Sequence, residues 1–217
     1  MKQRLFFLAM TMFLFVATAF AQTYDADMDV LLSGLESKNS NLTMLSSQFE
    51  SLQQSDPSRW EASYYFVFSK ILIAMNEKNG ENIDRLLDDV QSVLTKLIAG
   101  HPKESEFQVL QGWLYQARIS VSPMSRGMEY TQKANASFAN AITLDENNPR
   151  AYYLQGMGTF YMPRMFGGGS KNALVFFQKA KEKFAIFKPV SKYSPHWGES
   201  NNQQMLELCK KDENKQD

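Results

Sequence analysis

The chain has 217 residues, of which 44% are hydrophobic and 21% are charged, a composition typical of a globular protein rather than a disordered one. Its 23 basic and 23 acidic residues give a formal net charge of zero at pH 7. Nucleic-acid binding depends on an excess of basic residues on one face, so the sequence predicts no nucleic-acid partner.

The first 21 residues are typical of a secretory signal peptide. Lys2 and Arg4 precede an apolar run over 5–16, and Ala-Phe-Ala at 19–21 is a small–x–small cleavage pattern. An uncleaved membrane anchor is the alternative, but the apolar run is short for a membrane span. We therefore predict cleavage before Gln22, with no stable membrane insertion afterwards. No cysteine follows the cleavage site closely, so we predict a periplasmic or secreted protein that is not a lipoprotein.

Apolar residues recur at helical spacing through the rest of the chain, and capping or breaking residues separate the runs. The pattern predicts nine helices, over 24–38, 42–54, 59–75, 83–98, 104–120, 130–144, 150–161, 171–187 and 201–210. No segment shows the sustained two-residue alternation of a half-buried strand. The sequence therefore predicts an all-α fold built from helix pairs.

A repeated pattern in the second half of the chain indicates how these helices pack. Leu-Gln-Gly ends at Gly112 and again at Gly156, and a small–aromatic–small stripe at helical spacing follows each tripeptide. The stripes are Ala134, Phe138, Ala141 and Ala173, Phe177, Ala180. Glycine inside a helix costs about 1 kcal/mol relative to alanine. We therefore predict that a neighbouring helix packs directly against the backbone of both glycines.

A glycine in the first helix and this stripe in the second resemble the tetratricopeptide repeat. The junction 141–149 is similar to that of the family, with Glu146 where proline is usual. The resemblance implies a short right-handed α-solenoid of antiparallel helix pairs over 22–200, followed by a C-terminal helix and polar tail over 201–217. The stretches 118–127 and 165–169 also resemble exported tetratricopeptide-like proteins of Bacteroidetes, which implies no particular activity.

The spacing of the repeats departs from the family. Leu94, Phe138 and Phe177 are farther apart than the repeat length of about 34 residues. We place the extra residues in two long connections, 119–129 and 162–170. Connections of one type emerge along one edge of a helical stack, so we expect these two to lie side by side.

The resemblance also implies a concave groove, lined by the first helix of each pair, that holds a segment of a protein or peptide partner. The residues in the groove-facing register are Arg150, Tyr153, Met157, Phe160, Tyr161, Trp113 and Gln116. Aromatic and arginine side chains are typical interface anchors, which favours this partner class. Packing of Trp113 and Phe160 between repeats is the alternative explanation of the same residues.

A small molecule or glycan bound at the long connections is the alternative function, with Arg126, Arg164 and Tyr161 converging on it.

We interpret the glycines 167–169 as a sharp turn, with Ser170 capping the next helix, rather than as a phosphate-binding loop. The sequence has two histidines and no recognisable nucleophile motif. We therefore predict no cofactor, no metal site and no enzymatic activity; carboxylates assembled only by the fold would be needed for catalysis. Cys209 is the only cysteine, which leaves pairing between chains open.

Overall fold

The computed structural model describes residues 24–37 and 39–213, so the predicted signal peptide over 1–21 lies outside the described residues. The described residues form nine α-helices and one 3₁₀ turn, with no strand, which confirms the predicted all-helical class. The helices are α1 (24–36), α2 (Leu42–Ser55), α3 (Trp60–Asn76), α4 (Gly80–Gly100), α5 (Ser105–Ile119), α6 (Pro123–Leu144), α7 (Pro149–Tyr161), α8 (Ser170–Ile186) and α9 (Glu199–Glu213). Within that range, no helix combines the length and apolar character needed to cross a bilayer.

The described chain divides into two compact units, one ending at Ser69 and one beginning at Lys70, inside α3. An aromatic cluster forms the core of the first unit. Phe49 of α2 stacks on Tyr65 of α3 with ring centroids 5.5 Å apart. The ring of Tyr24 lies 4.0 Å from the guanidinium of Arg59, and burial raises the pKa of Tyr24 to about 12.

Helices that are consecutive in sequence pair within the second unit. α5 packs mainly on α6, α7 mainly on α8, and α9 covers α8. The predicted close contacts join these pairs: a Cβ added to Gly112 would lie 2.7 Å from Cζ of Phe138, and one added to Gly156 would lie 2.6 Å from Cε1 of Phe177. Both phenylalanines are fully buried. The explanation of the two helical glycines is therefore confirmed.

The prediction of a long connection over 119–129 was wrong. α6 begins at Pro123, seven residues earlier than predicted, so that only 120–122 link it to α5. Proline is favoured at the first position of a helix because its missing N–H has no helical partner there. Gly127 lies inside α6, where no other side chain would approach an added Cβ.

The ends of α5 and α7 lie close together. Gln116 of α5 donates a hydrogen bond from Nε2 to the carbonyl oxygen of Leu154 in α7, at 2.8 Å. The same nitrogen would lie 2.6 Å from a Cβ added to Gly158. The connections that follow α5 and α7 therefore leave from the same end of this helix pair, while their side-by-side arrangement stays a prediction.

The C-terminal helix is fixed to α8 by polar contacts as well as by packing. Ser170 donates a hydrogen bond from Oγ to Oδ2 of Asp212, at 2.7 Å. The predicted capping role of Ser170 was therefore wrong, because Gly169 occupies the cap position and the hydroxyl has an acceptor in α9. Cys209 is fully buried, so pairing between chains requires α9 to move away first.

Candidate ligand-binding surface at the end of helix α7

A buried polar network joins the beginnings of α5 and α7. Nε of Arg150 donates to Oε1 of Glu106 at 2.8 Å, and Nδ2 of Asn148 donates to the same oxygen at 2.7 Å and to Oγ of Ser105 at 2.8 Å. All four residues are buried, and the side chain of Arg150 is 0% exposed. A buried charge needs such partners to remain charged. Arg150, predicted to face the groove, is therefore part of the interior.

A second set of predicted groove residues is covered by the chain itself. Trp197, which lies in the irregular segment 187–198, stacks on Trp113 with ring centroids 5.2 Å apart and 27° between the planes. It also meets Tyr153 edge-on at 6.4 Å. Trp113 and Tyr153 are buried, and burial raises the pKa of Tyr153. The half of the groove nearest the start of α7 is therefore closed by residues of the same chain.

The last turn of α7 and the residues after it remain open. We define the α7 end patch as Met157, Phe160, Tyr161, Arg164, Met165 and Phe166. Tyr161 is 72% exposed, Met165 83% and Phe166 63%, while Met157 and Phe160 are partly exposed. The rings of Phe160 and Tyr161 meet edge to face at 5.1 Å. This patch unites the exposed part of the predicted groove with one of the two predicted edge loops.

Three glycines fix the shape of the loop that carries the patch. Gly167 and Gly169 have φ angles of 86° and 98°, in the left-handed region that other residues rarely adopt. A Cβ added to Gly168 would overlap the carbonyl oxygen of Met162. The amide of Gly169 donates to the carbonyl oxygen of Thr159 at 2.9 Å. The predicted sharp turn is confirmed, and these contacts fix the backbone of the loop that carries Met165 and Phe166.

Arg126, the other predicted edge-loop arginine, lies within α6 and has a partner. Its Nη1 and Nη2 donate to Oδ1 and Oδ2 of Asp84 at 2.7 and 2.8 Å, and Arg118 reaches the same carboxylate at 3.1 Å. The hydrogen bonds from Arg126 lower the pKa of Asp84. Arg164 is exposed and follows Tyr161 on the patch. Of the three residues expected to converge, Tyr161 ends α7, Arg164 begins the 3₁₀ turn that follows it, and Arg126 is engaged with an aspartate.

The described residues contain no group of three or more histidine, cysteine, aspartate or glutamate side chains arranged to hold a metal ion.

Glu104 has a raised pKa, caused first by burial and then by the nearby Glu106 and Asp145. Its carboxylate accepts the backbone N–H of Glu106 at 3.2 Å as the cap of α5. This capping contact gives the perturbed carboxyl group a structural role.

No family model matches the chain, and no curated protein does so. Among solved structures, the chain is similar to the HusA haemophore from Porphyromonas gingivalis, with 31% sequence identity and a TM-score of 0.76. The match covers 90% of this chain and 94% of that chain. The tetratricopeptide resemblance has no matching family model, so it stays a prediction.

Proposed function

This chain belongs to the family of the HusA haemophore, and from that premise we propose that it is an exported, non-enzymatic protein that binds haem on the α7 end patch. Of the two functions predicted from the sequence, this proposal takes up the small-molecule alternative at the edge loops. The periplasmic or secreted location remains part of the proposal, because it depends on the N-terminal signal pattern.

The chemistry of the patch suits a planar tetrapyrrole. Haem presents a broad apolar ring and two carboxylate groups. Tyr161, Met165 and Phe166 offer exposed aromatic and thioether surface, and burying such surface contributes roughly 25 cal/mol per Å². The Arg164 guanidinium on the same turn suits a carboxylate. The observation that carries the proposal is this set of large apolar side chains, exposed at the end of α7 and on the glycine-fixed loop that follows it.

We also propose an arrangement for the helices. They form a short right-handed solenoid, in which the first helix of each pair lines a concave face. Pairing of α5 with α6 and of α7 with α8, with a further contact between α5 and α7, supports it. In such a stack the α7 end patch lies where the concave face meets the loop edge. A macrocycle bound there contacts both helical and loop residues.

A protein or peptide partner is the weaker candidate. Trp113, Tyr153 and Arg150 were its predicted anchors, and their buried contacts are made within the chain. A peptide in the remaining groove would meet only Met157, Phe160, Tyr161 and the partly buried Gln116. That surface is small for a stable protein interface.

Haem titration of the mature chain, followed by Soret absorbance, tests the proposal. We expect saturable binding, weakened about tenfold or more in Met165→Ala/Phe166→Ala, because these two side chains supply exposed apolar area. Met124→Ala is the matched control, since Met124 is 99% exposed on α6, outside the patch. Circular dichroism must show equal helicity in all three proteins. Equal affinities for wild type and the double variant would place the ligand elsewhere and refute the proposed site.

A further inference from the structure

The indole ring of Trp197 packs against α5 and α7 in the way that a bound aromatic ligand would. Trp113 and Tyr153 stand on two different helices, and together they contact one indole ring, face-on from Trp113 and edge-on from Tyr153. Offset-stacked and edge-to-face arrangements are those that aromatic rings prefer. The ring itself comes from 187–198, a segment outside the helices. We call the space between Trp113 and Tyr153 the aromatic slot.

The rest of the segment is anchored without the indole ring. Tyr193 and Ser194 are buried, 3% exposed each. C-terminal to Trp197, the backbone N–H of Asn202 donates to the carbonyl oxygen of Gly198 at 2.8 Å. The side-chain Nδ2 of Asn202 donates to the carbonyl oxygen of Phe177 at 3.0 Å. Removal of the Trp197 side chain therefore empties the slot while contacts on both sides hold the segment in place.

We propose that the aromatic slot is a second binding site for a planar aromatic ring, and that Trp197 fills it as an internal competitor. A ring tethered next to its site has an effective concentration on the order of millimolar. A free ring of similar affinity therefore loses to Trp197 at micromolar concentration. In the wild-type chain Trp197 accordingly keeps a free ring out of the aromatic slot.

The class of natural ligand rests on the proposed function, whereas the slot is tested without haem by adding free indole to Trp197→Ala. Indole replaces the missing ring and stabilises the folded state by mass action, as apolar ligands do in engineered cavities. We expect millimolar indole to raise the melting temperature of Trp197→Ala by a few degrees. The same indole leaves wild type and Trp60→Ala unchanged; Trp60 belongs to the first unit and serves as the matched control. Absence of a shift in Trp197→Ala overturns the proposal.

Trp197→Leu gives the same test if the alanine variant fails to fold, because leucine restores part of the apolar volume while removing the planar ring. A second arm titrates haem against wild type by Soret absorbance, with saturable binding expected. Indole rescue without haem binding to wild type refutes the proposed function and keeps the slot. Haem binding to wild type without indole rescue refutes the slot and keeps the proposed function.

Discussion

Phe138 packs its ring edge against the backbone of Gly112, where a Cβ would lie 2.7 Å from Cδ1 and Cζ of the ring. Phe177 makes the same contact with Gly156 in the next helix pair. A large ring on one helix thus fills the space left by a missing side chain on its partner. This repeated contact sets the approach of α5 to α6 and of α7 to α8, and α7 carries the end patch.

Replacement of Gly112 by alanine tests this contact. Alanine favours a helix by about 1 kcal/mol over glycine, but overpacking a core costs about 1–3 kcal/mol. We expect Gly112→Ala to lower the free energy of unfolding, measured by urea denaturation. Gly127→Ala is the control: Gly127 is also inside a helix but has no atom within 4 Å of an added Cβ, so it should raise stability. Similar effects of both substitutions would show that the contact is not tight.

The buried pair of Glu106 and Arg150 gives a second prediction. Arg150→Ala removes the guanidinium that faces the buried carboxylate of Glu106, and loss of one partner of a buried pair costs about 3–5 kcal/mol. The double variant Glu106→Gln/Arg150→Met removes both charges and should lose less stability than Arg150→Ala. Urea denaturation of all three proteins measures the difference. If the double variant loses more stability than Arg150→Ala, the buried charge of Glu106 is not what destabilises Arg150→Ala.

Asp84 makes the stability of the second unit depend on pH. Arg126 lowers the folded-state pKa of Asp84 below its ordinary value of 3.8. A carboxyl group with a lowered pKa contributes stability that is present above the unfolded value and lost as pH falls through the folded value. The stability difference between wild type and Asp84→Asn should therefore be largest near neutral pH and shrink below about pH 4. Arg126→Ala should reduce the same dependence, and parallel curves for wild type and Asp84→Asn would contradict the assignment.

Gly168 links the loop shape to ligand binding. Alanine at this position would collide with the carbonyl oxygen of Met162, so the backbone that presents Met165 and Phe166 must shift. We expect Gly168→Ala to weaken haem binding several-fold while the circular dichroism of the helices is retained. Gly100→Ala is the control, since Gly100 ends α4 with no atom within 4 Å of an added Cβ. Unchanged haem affinity in Gly168→Ala would show that the loop shape is not required.

Local patterns were sufficient to predict the helices, the glycine–phenylalanine contacts and the turn over 167–169. They failed at the start of α6, because Pro123 and Gly127 suggest a break although proline suits a first turn. They also failed to show what covers Trp113. Its partner Trp197 lies in a segment without helical periodicity, and no local pattern links positions so far apart in the chain. The groove-facing register could not reveal that Arg150, Trp113 and Tyr153 are already buried within the chain.

The exposed thioether of Met165 has a chemical consequence. Methionine at a surface is readily converted to its sulfoxide, which is polar, whereas the buried thiol of Cys209 is shielded from such attack. An iron porphyrin resting against Met165 would bring redox chemistry to that sulfur in the presence of peroxide. Oxidative damage would then begin at the patch proposed to bind haem, and sulfoxide reduction would restore its apolar character.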